Sequence, residues 1–374
     1  MLVSDFDFHL PEELVAQSAV PRGTSRLLVL DRESGARIHG QIADLGAHLR
    51  AGDLLVVNDT RVFAARLLGH RVPSGGAVEC LLIGRAEADP VRSQGSRAGR
   101  QAGSPTPGSS VRGDETFWEA LVHPGQKLKP GALVRFEGPA GALMAEILER
   151  RYFGRRTIRL WSETGGDVDA LVDALGHIPL PPYIKRPDTP DDRERYQTVY
   201  ARSRGSIAAP TAGLHFTPEL LEGLRDRGID RAQITLHVGY GTFKPVRVER
   251  VEDHTVDPEH YEIDPATAAA LNAALDAGRR IVAVGTTTTR ALEDAALKGG
   301  GRVLAGAGTA SLFIYPGHHF QVVGALLTNF HLPASSLLML VSAFGGRERV
   351  LEAYRDAVER RYRFYSYGDA MLIA

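Results

Sequence analysis

Helix-like and strand-like patterns alternate in the second half of the chain, and this alternation constrains the fold more than any other feature. After about residue 165 the helical candidates are DVDALVDALG, TPELLEGLRDRG and PATAAALNAALDAG, and the strand candidates are AQITLHVG, RRIVAVG and GALLTNF. Such alternation predicts an α/β domain with a mixed, largely parallel sheet. Two apolar runs nearer the amino terminus, RLLVLD and DLLVVND, indicate further strands.

A second region has a different pattern and predicts a separate domain. Short strand-like runs such as AVECLLIG, FWEALVH, ALVRFE and RTIRLW are separated by Gly or Pro turns. This spacing predicts a small antiparallel β-barrel or sandwich at residues 63–160, inserted into an α/β domain of residues 1–62 plus 161–374. Inside the barrel region, residues 86–115 are rich in Gly, Ser, Pro and Arg, which predicts a disordered loop. A solvated loop is favoured over a polyanion contact, and its role stays open.

The totals limit the class of protein. The chain has 374 residues, a formal net charge of -1 and one cysteine, Cys80, so no global field draws it to nucleic acid. A single cysteine excludes an internal disulfide and suits a reducing compartment. The acidic amino terminus does not resemble a signal peptide, and no apolar run is long enough to cross a bilayer. We therefore expect a cytoplasmic protein with no membrane partner.

Four polar, glycine-bearing junctions follow predicted strands or precede predicted helices. They are ITLHVGYGTFKP, IVAVGTTTTRALED, LLTNFHLPASSLL and SIAAPTAGLHFTPELL. Thr217 is the predicted N-cap of a helix that starts at Pro218, and Ser335 or Ser336 is the predicted cap of another. Each junction alone is an ordinary turn, but ligands of open α/β sheets gather beyond the carboxyl ends of strands. The coincidence predicts one shared pocket.

Other kinds of site have weaker support in the sequence. The chain has no H-E-x-x-H or C-x-x-C spacing, so we expect no metal. Neither dinucleotide nor P-loop glycine fingerprints occur. Two basic, aromatic-rich segments, PPYIKRPDTPDDRERYQTVYARSRGS and RRYRFYSYGDAMLI, suit either an RNA contact or ordinary solvated surface, and composition does not decide between them.

Taken in order, these segments resemble the S-adenosylmethionine:tRNA ribosyltransferase-isomerase family of the queuosine pathway. The matching runs include SDFDFHLPEELVAQ, NDTRVFAARLLG, LPPYIKR, YQTVYA, GSIAAPTAGLHFT, ITLHVGYGTFKPV, VGTTTTRALE, FIYPG, LLTNFHLPASSLLMLVSAFGG and YRFYSYGDAMLI. They are collinear from residue 4 to 373. The resemblance implies an α/β domain with an inserted β-barrel, which agrees with the pattern above.

The resemblance also implies a reaction and its partners. The ribosyl part of S-adenosylmethionine is moved onto 7-aminomethyl-7-deazaguanine at the tRNA wobble position and isomerised, giving epoxyqueuosine-tRNA, adenine and methionine. S-adenosylmethionine is consumed as a substrate, and no cofactor is implied. We expect a monomer, although the oligomeric state, the domain that grips the anticodon arm and the assignment of acid and base are left open.

The residues that would carry this chemistry are expectations from the matched motifs. A base must remove a ribose 5′ proton and an acid must protonate adenine, tasks that suit imidazole. The catalytic candidates are His215, His237, His331, Asp59 and Asp369. The substrate-binding candidates are Asn58, Thr60, Arg61, Thr211, Gly213, Phe216, Gly239, Tyr240, Gly241, Thr242, Gly285, Thr286, Thr287, Arg290, Thr328, Asn329 and Ser335. The tRNA-binding candidates are Lys185, Arg186, Arg202, Arg204 and Arg363.

The chain departs from the family pattern in the segment HTVDPE and near Gly324, where the Asp that commonly precedes the LTNFHLP strand is absent, and two rival functions remain. Family members often show H-x-M-H-x-E, whereas HTVDPE keeps His254 and Glu259 but has Asp257 in place of the second His. The rivals are an RNA methyltransferase that uses S-adenosylmethionine and a catalytically inactive RNA-binding paralogue. Free adenine separates the expected reaction from both.

Overall fold

The chain forms two compact units in a computed structural model that describes residues 1–86 and 115–374. The sheet unit comprises residues 1–62 and 180–374, and the barrel unit comprises residues 63–179. The loop predicted at residues 86–115 lies outside the described residues, apart from its two end positions. No helix in the described ranges is long and apolar enough to span a membrane.

The sheet unit is built on nine paired strands. Their order is β15-β13-β12-β3-β14-β16-β17-β1-β2. The bounds are β1 (Arg26–Leu30), β2 (Arg37–Gln41), β3 (Leu54–Asn58), β12 (Asp230–Leu236), β13 (Glu259–Ile263), β14 (Ile281–Val284), β15 (Gly306–Ala310), β16 (Ala325–Asn329) and β17 (Ala370–Ile373). A short parallel pair joins β4 (Thr60–Val62) to β11 (Ser203–Ser206).

Four neighbouring strands of this sheet run parallel. These are β12, β3, β14 and β16, while β13, β15 and β2 pair antiparallel at the two edges. Alternate residues of a strand point to opposite faces, so Leu54 and Val56 enter one buried core and Leu55 and Val57 enter the other. The predicted mixed sheet is confirmed.

The helices begin where the sequence marks them. They are α1 (Val168–Leu175), α2 (Asp192–Arg195), α3 (Pro218–Asp226), α4 (Pro265–Asp276), α5 (Thr286–Lys298), α6 (Ser336–Gly345) and α7 (Arg347–Glu359). The Thr217 hydroxyl accepts a hydrogen bond from the Leu220 N–H, and the Ser335 hydroxyl accepts one from the Leu338 N–H. Both predicted N-caps are confirmed.

The barrel unit is a closed antiparallel barrel in the order β10-β7-β6-β5-β8-β9. Its strands are β5 (Arg66–Val72), β6 (Ala77–Arg85), β7 (Thr116–His123), β8 (Leu133–Gly138), β9 (Gly141–Arg150) and β10 (Arg155–Ser162). The predicted β-barrel is therefore confirmed. The sequence interpretation ended this domain at residue 160, whereas the barrel unit extends to residue 179. Strand β10 continues past that point, and His177 exchanges backbone hydrogen bonds of 2.8 and 3.2 Å with Arg66.

Asn58 extends the pairing of β3 with β12 beyond the backbone ladder. Its side-chain amide nitrogen donates to the Leu236 carbonyl at 2.9 Å, and its amide oxygen accepts from the Leu236 N–H at 3.0 Å and the Thr60 N–H at 3.1 Å. The side chain is 1% exposed. All its bonds are to the protein's own backbone, so Asn58 fixes the ends of two central strands.

Asn58→Ala should lower the free energy of unfolding of the sheet unit by roughly 2–4 kcal/mol, because buried backbone groups lose their partners. Chemical denaturation monitored by circular dichroism measures this. Arg61→Ala is the matched control, since Arg61 is exposed nearby and should change stability by less than about 0.5 kcal/mol. Equal stability of the two variants would contradict this role for Asn58.

Candidate active site

A cleft that is partly open to solvent lies at the carboxyl ends of the parallel strands in the sheet unit. Eight of the predicted site residues line it: Thr211, Thr242, Gly285, Thr286, Thr287, Thr328, Asn329 and His331. Its other lining residues are apolar, aromatic or hydroxyl-bearing. Within the described chain, no Asp, Glu, Lys or Arg side chain lines this cleft. The cleft is therefore polar but carries no formal charge.

The run of four threonines after β14 divides into two pairs with different tasks. Gly285 has a φ of 93°, a conformation that favours glycine, and turns the strand directly into α5. The hydroxyls of Thr288 and Thr289 donate to the carbonyls of Val284 and Gly285, at 2.7 and 3.1 Å. These two side chains close the first helical turn. Thr286 and Thr287 line the cleft beside the amino terminus of α5.

His331 lines the cleft with one ring nitrogen engaged. Its Nε2 lies 2.9 Å from the Thr328 hydroxyl, and its backbone N–H donates to the Tyr354 hydroxyl at 3.1 Å. Its Nδ1 has no hydrogen-bond partner in the described part of the chain. Burial lowers the pKa of His331 to about 3. The ring is thus neutral at physiological pH, with Nδ1 available to a bound molecule.

His215 lies behind the cleft and holds Asn329. The Asn329 amide nitrogen donates to the Tyr365 carbonyl at 2.8 Å, so its oxygen accepts from His215 Nε2 at 3.3 Å. His215 Nδ1 is then the acceptor for the Ser25 hydroxyl at 2.9 Å. Burial lowers the pKa of His215 to about 4, although its bond to Asn329 opposes the shift. Both nitrogens are occupied, so His215 orients Asn329.

Aromatic residues form the wall that the sequence interpretation did not include in the site. Tyr183, Tyr196, Phe243 and Tyr365 line the cleft. The rings of Tyr183 and Tyr365 meet edge to face with centroids 3.9 Å apart, and the Tyr183 hydroxyl bonds to that of Ser366. Burial raises the pKa of Tyr183 well above its ordinary value. For the three tyrosines the available signal is the aromatic richness of the two basic segments, which suits either an RNA contact or solvated surface, whereas Phe243 lies in the junction ITLHVGYGTFKP.

A buried ion pair supports the turn beside the cleft. Glu259 accepts the Gly239 N–H at 3.0 Å and the Thr242 hydroxyl at 3.3 Å, while its other oxygen lies 2.8 Å from Arg290. The Arg290 guanidinium also donates to the carbonyls of Leu312 and Ala310, both at 3.2 Å. Burial raises the pKa of Glu259, although Arg290 opposes the shift. Arg290 therefore supports the turn at residues 239–243, and with Gly241 it lines a smaller pocket next to the cleft.

Asp257, the departure from the family motif, has a local partner. Its two carboxylate oxygens lie 2.8 and 2.7 Å from the Lys244 ammonium. It also lines the smaller pocket rather than the cleft. His254, which the motif retains, packs its ring edge to face against Phe313.

His237 belongs to a second polar cluster with Asp59 and Thr60. Its Nδ1 lies 2.8 Å from the Thr60 hydroxyl, and burial lowers its pKa. Asp59 accepts the Thr235 hydroxyl at 2.6 Å and the Arg202 guanidinium at 2.9 Å. These residues do not line the cleft; Val238, the neighbour of His237, lines it instead. The structure thus brings His331 to the cleft and His237 to a different cluster.

The remaining candidates lie outside the cleft lining. Asp369 accepts the backbone N–H groups of Arg26 and Arg363 at 3.0 and 2.8 Å, which occupies both of its oxygens. Other candidates contact only the protein itself. Gly213 packs under the Tyr200 hydroxyl, Phe216 is fully buried, and Tyr240 packs on Phe243. Gly239 and Ser335 are held by the hydrogen bonds described above. Arg61 is exposed. Adjacency in a motif therefore did not imply adjacency to the cleft.

Most of the predicted tRNA-binding cations already have protein partners. Arg186 forms a bidentate pair with Asp192 at 2.7 and 2.9 Å, and Arg202 pairs with Asp59. Lys185 is exposed and pairs with Glu12. Arg363 donates to the Ser18 carbonyl, and Arg204 lies on β11. Their contact with tRNA stays a prediction.

Asp192 is the centre of the best-bonded of these pairs. Burial by itself would raise its pKa, but the bonds from Arg186, Thr189 and Tyr367 outweigh burial and hold the pKa well below the ordinary carboxyl range. Because the folded-state pKa is depressed, the stabilisation is complete above the unfolded pKa of about 3.9 and is lost as pH falls below it.

Asp192→Asn should therefore destabilise the protein at pH 7 and make its stability fall less steeply between about pH 5 and pH 2. Unfolding free energies across this pH range provide the measurement. Asp191→Asn is the matched control, because the neighbouring Asp191 is exposed and its side chain does not cap the helix. An acid limb that is unchanged in Asp192→Asn would refute this account.

No cluster of three or more His, Cys, Asp or Glu side chains suited to a metal occurs in residues 1–86 and 115–374. The polar groups of the cleft are hydroxyls, an amide and one imidazole, which instead suit an organic ligand bound through neutral hydrogen bonds.

Comparison with known proteins identifies the family. A family model described as queuosine biosynthesis protein matches residues 3–373. A relative from Heliobacterium modesticaldum, named S-adenosylmethionine:tRNA ribosyltransferase-isomerase, is 50% identical over 374 residues and covers 100% of both chains. A relative of the same name from Pelobacter propionicus is 48% identical, also with 100% of both chains covered.

A solved structure supports the same assignment. The crystal structure of S-adenosylmethionine tRNA ribosyltransferase from Thermotoga maritima is 36% identical, with a TM-score of 0.52 over 99% of this chain and 100% of that one. Sequence, family model and fold agree over nearly the whole length, and the chain belongs to the queuosine biosynthesis protein family.

Proposed function

We propose that this protein transfers the ribosyl group of S-adenosylmethionine to 7-aminomethyl-7-deazaguanine at the tRNA wobble position and isomerises it to give epoxyqueuosine-tRNA. Adenine and methionine are released, and no further cofactor takes part. The observation that carries the proposal is the uncharged, aromatic-walled cleft with one neutral imidazole. We also propose that it acts on tRNA in the cytoplasm, as a monomer.

The lack of charge in the cleft suits sulfonium chemistry. Aromatic rings attract a cation without neutralising it, and Tyr183, Phe243 and Tyr365 line the cleft. A carboxylate at this place would stabilise the sulfonium and weaken its pull on the electrons of the neighbouring ribose carbon. An unpaired sulfonium therefore keeps the 5′ protons acidic, which the first step of the reaction needs.

The amino terminus of α5 suits the methionyl end of the substrate. Thr286 and Thr287 offer backbone N–H groups and hydroxyls at the positive end of the helix dipole. A carboxylate placed there gains hydrogen bonds without a cationic side chain.

His331 is the best candidate for the base. When its Nε2 donates to the Thr328 hydroxyl, its Nδ1 carries the lone pair that can accept the 5′ proton. The low pKa keeps it unprotonated, but it also makes the imidazole a weak base, so acidification by the sulfonium must supply part of the driving force. The hydroxyls of Tyr183 and Ser366, which are hydrogen-bonded to each other, are candidate proton donors to the departing adenine.

Product analysis tests the reaction. The protein is incubated with S-adenosylmethionine and tRNA that carries the aminomethyl deazaguanine, and the small molecules and tRNA nucleosides are analysed by mass spectrometry. We expect free adenine, free methionine and epoxyqueuosine. S-adenosylhomocysteine would instead identify a methyltransferase, and intact S-adenosylmethionine with bound tRNA would identify an inactive paralogue.

His331→Ala should reduce adenine release by about 10²-fold or more, the usual scale of acid–base contributions. If His331 removes the 5′ proton, the deuterium isotope effect with S-adenosylmethionine dideuterated at C5′ should increase in the variant. His260→Ala is the control, because His260 is exposed on β13 and lies outside the cleft. A wild-type rate in His331→Ala would remove this residue from the mechanism.

A further inference from the structure

We propose that one end of the barrel unit is an RNA-binding surface, a second contact with the tRNA substrate beyond the catalytic cleft. The surface, called the barrel tip below, consists of the β9–β10 turn at residues 150–155 and the loop at residues 124–131 after β7. That the RNA is a tRNA rests on the proposed function. The surface itself rests on the four observations that follow.

Strand pairing brings the two segments of the barrel tip together. Arg155, at the start of β10, pairs with Leu121 near the end of β7. The N–H of Gly131, in the loop after β7, donates to the Ile147 carbonyl of β9 at 2.8 Å. The hairpin turn and the loop therefore emerge side by side at the same end of the barrel.

A buried guanidinium holds the two segments rigidly. Arg156 is only 1% exposed and donates to the carbonyls of Gly125 and Leu128 in the loop, at 2.8 and 3.4 Å. It also donates to the Gly154 and Arg155 carbonyls of the turn, both at 3.0 Å. A cation bonded only to backbone carbonyls is an internal brace, so the surface presented by both segments is pre-organised.

The barrel tip has an excess of positive charge. Its cationic side chains are Lys127, Lys129, Arg150, Arg151 and Arg155, and the neighbouring carboxylates are Glu119 and Glu149. Arg151 contacts both carboxylates and Arg155 contacts Glu119. In the described residues, Lys127, Lys129 and Arg150 are exposed and form no ion pair. These three charges are available to a polyanion.

Tyr152 adds an exposed aromatic side chain to the barrel tip. It is 89% exposed, the most exposed large apolar or aromatic side chain among the described residues. It lies at the apex of the hairpin, between Arg151 and the buried brace at Arg156. Exposed cations and an exposed ring on the same two segments suit an RNA backbone with an unpaired base stacked on the ring, as occurs in tRNA loops.

The test compares tRNA binding by the intact protein and its variants across salt concentrations. The variant Lys127→Ala/Lys129→Ala/Arg150→Ala should weaken binding about tenfold or more at 0.1 M salt and reduce the slope of log affinity against log salt by about two. Tyr152→Ala should weaken binding about fivefold or more, and Tyr152→Phe should bind like wild type because the ring is retained.

A charge-matched control separates the surface from net charge. Arg225→Ala/Arg250→Ala/Arg355→Ala removes three exposed cations of the sheet unit and should leave affinity and slope nearly unchanged. Equal tRNA affinities of the barrel-tip variant and the wild type would overturn the proposal. The same variant is also tested for binding to phosphatidylserine vesicles. If it loses vesicle binding while its tRNA affinity is unchanged, the surface binds a membrane and the proposal is likewise overturned. Adenine release by the wild type tests the reaction separately, so failure at the barrel tip is distinguishable from failure of the proposed function.

Discussion

Parallel pairing of β12, β3, β14 and β16 is the constraint on which the candidate site depends. Because these neighbours point the same way, the residues after each strand meet at one edge of the sheet. Asn58 reinforces this arrangement where the backbone ladder stops, and Asn329 links the end of β16 to His215 and to the backbone of Tyr365. Two neutral amides thus fix the geometry of the edge without bringing charge into the cleft.

The charged groups around the site have a consistent role. Glu259 with Arg290, Asp59 with Arg202 and Asp192 with Arg186 are close ion pairs that also bond to backbone or hydroxyl groups. Each holds a loop or turn in the sheet unit, while the cleft itself is lined by neutral groups. Because the ion pairs hold loops and only neutral groups line the cleft, the positive charge of a sulfonium substrate would be the dominant charge within it.

The sequence predicted the architecture well because periodicity and capping are local signals. Alternation of helices and strands predicted the sheet unit, and closely spaced short strands predicted the barrel unit. Thr217 and Ser335 cap their helices as expected. The site was harder to predict because a motif does not specify side-chain direction. His237 and Val238 are adjacent, yet only Val238 lines the cleft, and two of four consecutive threonines bond back to the backbone that precedes their helix. The aromatic wall comes from segments distant in sequence, which only tertiary packing brings together.

The position of β17 has a consequence for folding. Residues 370–373 form an interior strand that pairs with β16 on one side and with β1 on the other. Strand β1 is Arg26–Leu30, so this pairing joins segments that are very far apart in the sequence, and contacts of this kind close at a high entropic cost. The wall residues Tyr365 and Ser366 shortly precede β17. Completion of the aromatic wall therefore depends on one of the most long-range pairings of the sheet.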